Sequence, residues 1–398
     1  MRAISTLISK LFENLPSIHK ARRNSLSFAV ESLCHGAKLG LTSIGRSAFS
    51  KTTAKHNIKR VDCLLGNTKV FHEIPQLFEA VINMIIQPNS SPLILVDWTL
   101  IGNDHCALFA SVPYEGRAIT VYFEVHPLEK YSNRNLEYAF LDQLKNLLPD
   151  GVKPTLITDA GYLNPWFKKV MELDWYFIGR LNPRMKVLTE SGKRTTVKQL
   201  ESFTKTTATD IGRCLMTITN PLNYRVIQGK RIKRNPNRRP EPRLFSGPAR
   251  GSRQARRRAF TPWVLGTNHE KLSAEEIMSF YALRMSIEEQ FRDFKNARYG
   301  WAFREVRASS ITRYSILLLI GSIAQFIMMM IGKIAEQQKV HLQFSSRSNP
   351  RQRVLSLFFL ARELLRLNYD YKVTAKELNC ALNHLNHYFM LERKTGDT

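Results

Sequence analysis

Two periods of apolar side chains alternate along the chain. Up to about residue 90 the spacing is helical. Leu41 to Ser47 (LTSIGRS) and Thr52 to Leu65 (TTAKHNIKRVDCLL) read as two short helices parted by small residues, the arrangement of a helix-turn-helix. In the second, Ile58, Val61 and Leu65 recur at i, i+3 and i+7, while Lys55 and Lys59 lie one turn apart on another side, followed by Arg60. The same pattern also describes an ordinary amphipathic helix with a solvated basic face. From residue 91 the period shortens. SPLILVDW suits a buried strand, ALFASV, YEGR and AITVYFEV read as a hairpin, and TLITD and WYFIGRL as further buried strands, with a helix over Asn133 to Leu148 between. Strands mixed with helices in this order define an α/β pattern.

Between Asn182 and Thr261 the composition shifts to Pro, Gly, Thr and Arg, which predicts a strand-rich insertion. Helical spacing returns at Ser273, where Glu276 completes a capping box and Ile277, Phe280, Leu283, Ile287, Phe291 and Phe294 recur on one face, predicting a single helix through Lys295. Ile316 to Ile331 is the most apolar run. Its 16 residues include Gly321, Ser322 and Gln325 and fall short of the ~20 that cross a bilayer, so it reads as a buried helix. Thr374 with Glu377 marks another capping box in a mainly helical end. The expected organisation is a helical N-terminal DNA-binding region (1–90), the first part of an α/β core (91–181), a β-rich basic insertion (182–261), the second part of the core (262–340) and a helical C-terminal region (341–398).

Composition adds the class of partner. The 398 residues are 43% apolar and 23% charged, ordinary for a chain that buries a core, but 59 Lys and Arg face 33 Asp and Glu, a net charge of +26. Such a field attracts polyanions, nucleic acid ahead of an anionic membrane surface. Arg225 to Arg258 holds 13 basic residues against Glu241 alone, and being internal it is expected to form a poorly ordered loop that contacts DNA backbone without reading sequence. The five cysteines are scattered and never CxxC, which suggests neither disulfides nor a thiolate zinc site and fits a reducing cytosol. Lys10 and Glu13 break the apolar N-terminal stretch, arguing against a signal peptide. His384 and His387 (HLNH) read as surface or packing residues of a terminal helix rather than metal ligands.

Two carboxylates stand where burial is costly without a partner or a metal: Asp97 closes LILV and Asp159 closes TLIT, each at the expected end of a buried strand. On a wheel at ~100° per residue with Tyr281 at zero, Arg284 falls at ~300°, Glu288 at ~340° and Lys295 at ~320°, a polar stripe bordering the apolar face, whereas Glu289 points away near ~80°. Two strand-end aspartates and a helical glutamate can hold two Mg²⁺ ions for phosphodiester chemistry, with Arg284 and Lys295 gripping phosphates.

These residues resemble the DDE transposases of the insertion-sequence-four family, transposon-ten type. Tyr281, Arg284, Glu288 and Lys295 spell that family's Y-x2-R-x3-E-x6-K signature, and VDW around Asp97, TDAGY around Asp159, PWVLGTN around Trp263 and AKHNIKRVDCLLGN are similar to its other blocks. The resemblance implies a ribonuclease-H-like mixed-sheet core interrupted by a β-rich insertion, in line with the 62 residues from Asp97 to Asp159 and the 129 on to Glu288. It further implies a catalytic and metal-binding set of Asp97, Asp159 and Glu288 using Mg²⁺, with Mn²⁺ as substitute. DNA contacts fall to Tyr281, Arg284, Lys295, Lys55, Lys59 and Arg60, and to Trp263 stacking on a flipped base. The implied partners are double-stranded DNA, both inverted-repeat ends and target, and a second copy in the DNA complex, with no membrane and no small-molecule substrate. The implied setting is the bacterial cytoplasm, at the nucleoid. Two rival readings are a ribonuclease-H-like nuclease or resolvase without strand transfer, and a catalytically inactive DNA-binding relic.

Overall fold

Amphipathic spacing and caps set the elements of the computed structural model, which describes residues 3–13, 15–204, 207–217, 220–230, 262–344, 355–367 and 371–390. Six helices come first: α1 (Ala3–Glu13), α2 (Lys20–Cys34), α3 (Leu41–Arg46), α4 (Ala54–Leu65), α5 (Thr68–His72) and α6 (Ile74–Ile85). Strands β1 (Leu93–Ile101), β2 (His105–Tyr114) and β3 (Arg117–Pro127) follow, then α7 (Arg134–Leu147), β4 (Thr155–Thr158), α8 (Asn164–Glu172) and β5 (Tyr176–Arg180). Next are β6 (Lys186–Thr189), β7 (Arg194–Thr196), α9 (Val197–Ser202), β8 (Thr209–Met216), β9 (Leu222–Gly229) and β10 (Trp263–Thr267). The chain continues through α10 (Ala274–Ala282), α11 (Met285–Lys295), α12 (Ile311–Gln337), α13 (Leu357–Leu367) and α14 (Ala375–Tyr388).

These elements form two compact units. Residues 1–154 and 285–398 supply the first, residues 155–284 the second. In the first, β1, β2 and β3 run antiparallel with β2 in the middle. The β2–β3 turn is Glu115–Gly116, both at positive φ (50° and 80°), as a two-residue hairpin with strand-matching twist requires. The core is α12, buried at every position from Tyr314 to Ala335 and packed against α2, α13 and β3. It is long and apolar enough to cross a membrane, but its most apolar window is wholly buried in protein, which makes it a core helix. In the second unit β4 and β5 are parallel and joined by α8. Strands β10, β9, β8, β6 and β7 then extend the sheet antiparallel from β5. The fold class is therefore α/β with a mixed sheet, strand-rich between β5 and β10 and helical toward both ends.

In the helical N-terminal part, α3 and α4 occupy the two segments expected of a helix-turn-helix. A Cβ on Gly45 would stand 2.6 Å from the Cα of Ile58, so α3 crosses α4 at van der Waals contact of backbones, over buried Val61 and Leu65. Gly45→Ala forces the helices apart; the expected cost is about 1–3 kcal/mol, measured as a lowered thermal midpoint.

Three expectations need correction. The helix from Ser273 is two helices: after its capping box, the amides of Leu283 and Arg284 bond to carbonyls three residues back, those of Phe280 and Tyr281, tightening the last turn before α11 restarts at Met285. Asp97 is not at a strand end. The apolar residues beyond it continue β1 to Ile101, and Asp97 pairs with Phe109 in mid-strand. Between β4 and β5 the chain adds α8, with Pro165 in its first turn. Finally, Arg225 to Gly229 belong to β9, where Arg225 donates to Asp210 and to the carbonyls of His269 and Leu272. The rest of the expected basic loop, 231–258, lies outside the described residues.

Candidate active-site groups

In the first unit, alternation along β1 places Asp97 and Thr99 on one face. Phe109, opposite Asp97, meets Phe291 of α11 edge-on with centroids 5.2 Å apart, so this face looks toward α11. Lys295, at the end of α11, donates from Nζ to Thr99 Oγ1 at 2.6 Å. Burial pushes its ammonium down to about 8, helped by Arg304 and opposed by the negative charges of Glu288 and Asp97. Both carboxylates therefore act on one lysine. Asp97 is buried at 8% exposure, while Glu288 reaches solvent, a difference suited to one fixed and one accessible oxygen ligand. Glu289 turns elsewhere, pairing with Arg292 at 2.7 Å and Arg117 at 3.6 Å.

In the second unit Asp159 directly follows β4, its Oδ1 accepting from the amide of Gly161 at 2.8 Å. Tyr281 is buried and its hydroxyl pushed up to about 12, by burial first, with Arg284 and Arg180 opposing and Asp159 adding. Arg284 hydrogen-bonds that hydroxyl. Trp263 meets Tyr281 edge-on, centroids 4.7 Å apart, and is only 8% exposed. Tyr281 and Trp263 thus pack against each other, both buried. Because the helix breaks before Met285, the single polar arc expected for Tyr281, Arg284, Glu288 and Lys295 does not exist; Glu288 and Lys295, seven residues apart on α11, keep a common face.

The structure adds Thr99 and Arg304 beside Lys295 and Arg180 beside Tyr281. Arg180 had the same signal as the aspartates, a charge ending an apolar strand. Thr99 and Arg304 carried no local signal. Among the N-terminal basic residues, Lys55 is exposed and Lys59 pairs with Asp62 at 3.1 Å. Arg60 lies over the Phe28 ring at 4.2 Å and donates to the Asn24 carbonyl, so its guanidinium ties α4 to α2. His384 shares a hydrogen bond with the Tyr114 hydroxyl at 3.1 Å.

Among the described residues no three His, Cys, Asp or Glu side chains gather as a ready metal cage. Oxygen donors on Asp97 and Glu288 nonetheless suit a hard cation, since Mg²⁺ commonly takes one or two carboxylates and completes its shell with water and substrate phosphate. A strand carboxylate and a helix carboxylate thus act on one lysine in the first unit. The match of residues 90–322 to the family model for the transposase DDE domain, more than half the chain, shows that the protein belongs to the DDE transposases, with their ribonuclease-H-like core. It is thus a DNA-acting enzyme of transposition. Comparison with curated proteins finds no match.

Proposed function

We propose that this transposase is of the insertion-sequence-four, transposon-ten type and moves its element by cut and paste. The observation that carries the reading is the shared action of Asp97 and Glu288 on Lys295, within a helix pair whose residues spell Y-x2-R-x3-E-x6-K. Asp159 completes the carboxylate set. Water attacks a backbone phosphate at the element's end and a 3′ oxygen leaves; the freed 3′-hydroxyl attacks the opposite strand and closes a hairpin. A second water reopens it, and the 3′ end then joins target DNA. Two Mg²⁺ ions, or Mn²⁺ in their place, would activate the attacking oxygen and steady the leaving one when held by the three carboxylates. Lys295 and Arg284 bind phosphates near the cut, and Trp263 receives the flipped base. Lys55 and Lys59 of α4 face the end sequence, and a second copy pairs the two ends. The protein works in the bacterial cytoplasm, at the nucleoid.

The test incubates the full chain and Mg²⁺ with DNA carrying the element's own end. Nicked, hairpin and excised products in succession are expected. Nicks without hairpins or joining would favour a nuclease or resolvase, and end binding without any cleavage an inactive relic.

The run from Lys230 to Arg258 is proposed to hold DNA backbone. Neutralising four of its arginines should lower affinity equally for end and random DNA and reduce the log–log salt slope by ~0.9 for each phosphate left without its arginine. An unchanged slope in a filter-binding titration would overturn this role.

A further inference from the structure

The face of α11 turned away from Glu288 is polar where a helix buried against a strand is usually apolar. With Glu288 at zero on the wheel, Lys295 falls at ~340°, but Asp293 at ~140° and Gln290 at ~200°, and both are buried. Each has one partner on β3. Arg117 Nε donates to Asp293 Oδ2 at 2.6 Å, and its Nη1 stands 3.6 Å from Glu289 Oε2. Gln290 Nε2 donates to Thr120 Oγ1 at 2.5 Å. Between them Phe291 fills the apolar contact to Phe109.

Apolar contacts alone would hold α11 down without fixing it, because they are non-directional and survive a small slide or rotation. Hydrogen bonds do not: a slide of one residue, ~1.5 Å, tilts bonds this short by about 30° and stretches them, and such bonds weaken as they bend from linear. Two bonds to points three residues apart on both the helix and the strand fix translation and rotation together. The strand they grip pairs through β2 with the one that bears Asp97.

We propose that Arg117, Asp293, Gln290 and Thr120 are positioning residues of the transposase: they set the register of α11 on β3, and so the spacing at which Glu288 and Asp97 share a metal. The proposal rests on the metal-binding reading given above. None of the four touches the reacting atoms. A Leu or Val at these sites would bury as well and position worse.

The test titrates the full chain with Mn²⁺, following free Mn²⁺ by electron paramagnetic resonance, and in parallel finds the Mg²⁺ concentration for half-maximal end cleavage. The variants are Arg117→Ala, Arg117→Lys and Gln290→Leu, with Glu288→Gln as the ligand control. Arg22→Ala, which breaks the unrelated pair with Glu73 in the same unit, controls for general loss of stability. Arg117→Ala and Gln290→Leu are expected to weaken Mn²⁺ binding about tenfold, the usual effect of removing support behind a ligand, and to raise the Mg²⁺ requirement in step. Arg117→Lys should recover part of it, and Arg22→Ala should bind as the wild type does. Should Arg117→Ala fail to fold, the uncharged Gln290→Leu decides alone. If Glu288→Gln weakens Mn²⁺ binding but Arg117→Ala and Gln290→Leu stay within twofold of wild type, or if Arg22→Ala loses as much as they do, the positioning role is refuted. If Glu288→Gln itself binds Mn²⁺ like the wild type, the metal assignment falls, and this inference with it.

Discussion

Glu288→Gln should abolish strand cleavage while leaving end binding within about twofold. The substitution keeps the size and hydrogen-bonding reach of the side chain but removes the charge that a hard cation needs. Because Glu288 is solvent-exposed on α11, the packing of Ile287, Phe291 and Phe294 does not depend on it, and the thermal midpoint should fall only slightly, through the loss of its charge near Lys295. A loss of at least ~10³-fold in single-turnover cleavage is expected, about 4 kcal/mol of transition-state stabilisation at 1.36 kcal/mol per decade. Glu289→Gln is the natural comparison. Glu289 is engaged by Arg117 and Arg292, so its loss should move stability slightly and cleavage far less. Retention of cleavage within tenfold in Glu288→Gln, with intact binding in a gel-shift assay, would remove Glu288 from the catalytic set.

Lys295 should show a second large effect, one with opposite signs on stability and activity. Its ammonium is pushed down to about 8 from 10.5, by burial first and Arg304 second. Below pH 8 the folded protein therefore holds a charge that the burial disfavours. Between about 8 and 10.5 the unfolded chain binds more protons than the folded one, and stability rises with pH over that window. Lys295→Met, which fills the same space without the charge, is expected to be at least as stable as wild type at pH 7, and the wild type should gain on it as the pH is raised from 8 to 10. Cleavage should fall by ~10- to 100-fold in the variant, the 1.5–3 kcal/mol of a hydrogen bond to a charged group. In the wild type the free enzyme should lose activity above pH 8 as Lys295 gives up its proton. Thermal midpoints across pH, set beside cleavage rates, check both halves; a variant that is less stable at pH 7 would show that the lysine is structural ballast for the carboxylates instead of a charge held for DNA.

Much of this arrangement is legible in the chain itself. Ser273 with Glu276 and Thr374 with Glu377 form the capping boxes their spacing announces, because that signal is local and complete within four residues. The run at Ile316 to Ile331 is indeed a buried helix, although caps extend it to Ile311–Gln337. The break between Tyr281 and Glu288 is hidden: no Pro or Gly marks it, and the apolar period continues through Leu283 into Ile287. A wheel drawn across the turn therefore carries false phase. Asp97 misleads because a charge after four apolar residues resembles a strand end, and only the pairing with Phe109 shows the strand running through. Arg60 resembles a surface cation, since its partner Phe28 is 32 residues away in sequence. Gln290 and Asp293 are the opposite case, polar residues whose burial becomes intelligible only with Arg117 and Thr120 from β3 in view.

The discontinuity of the first unit sets a timetable for synthesis. Residues 1–154 are complete long before their core helix, α12, which ends at Gln337, whereas the second unit comes from one uninterrupted stretch of chain, residues 155–284. At ~5–20 residues per second, roughly 10–40 s pass between the last residue of the first segment and the end of α12. During that interval the apolar faces of α2 and β3, which α12 later covers, are on a nascent chain still tethered to its ribosome. A product ending before residue 311 would keep the α3–α4 pair and lack the helix that the rest of its unit is built around. Such a product leaves exposed the apolar faces of α2 and β3 that α12 covers in the full chain.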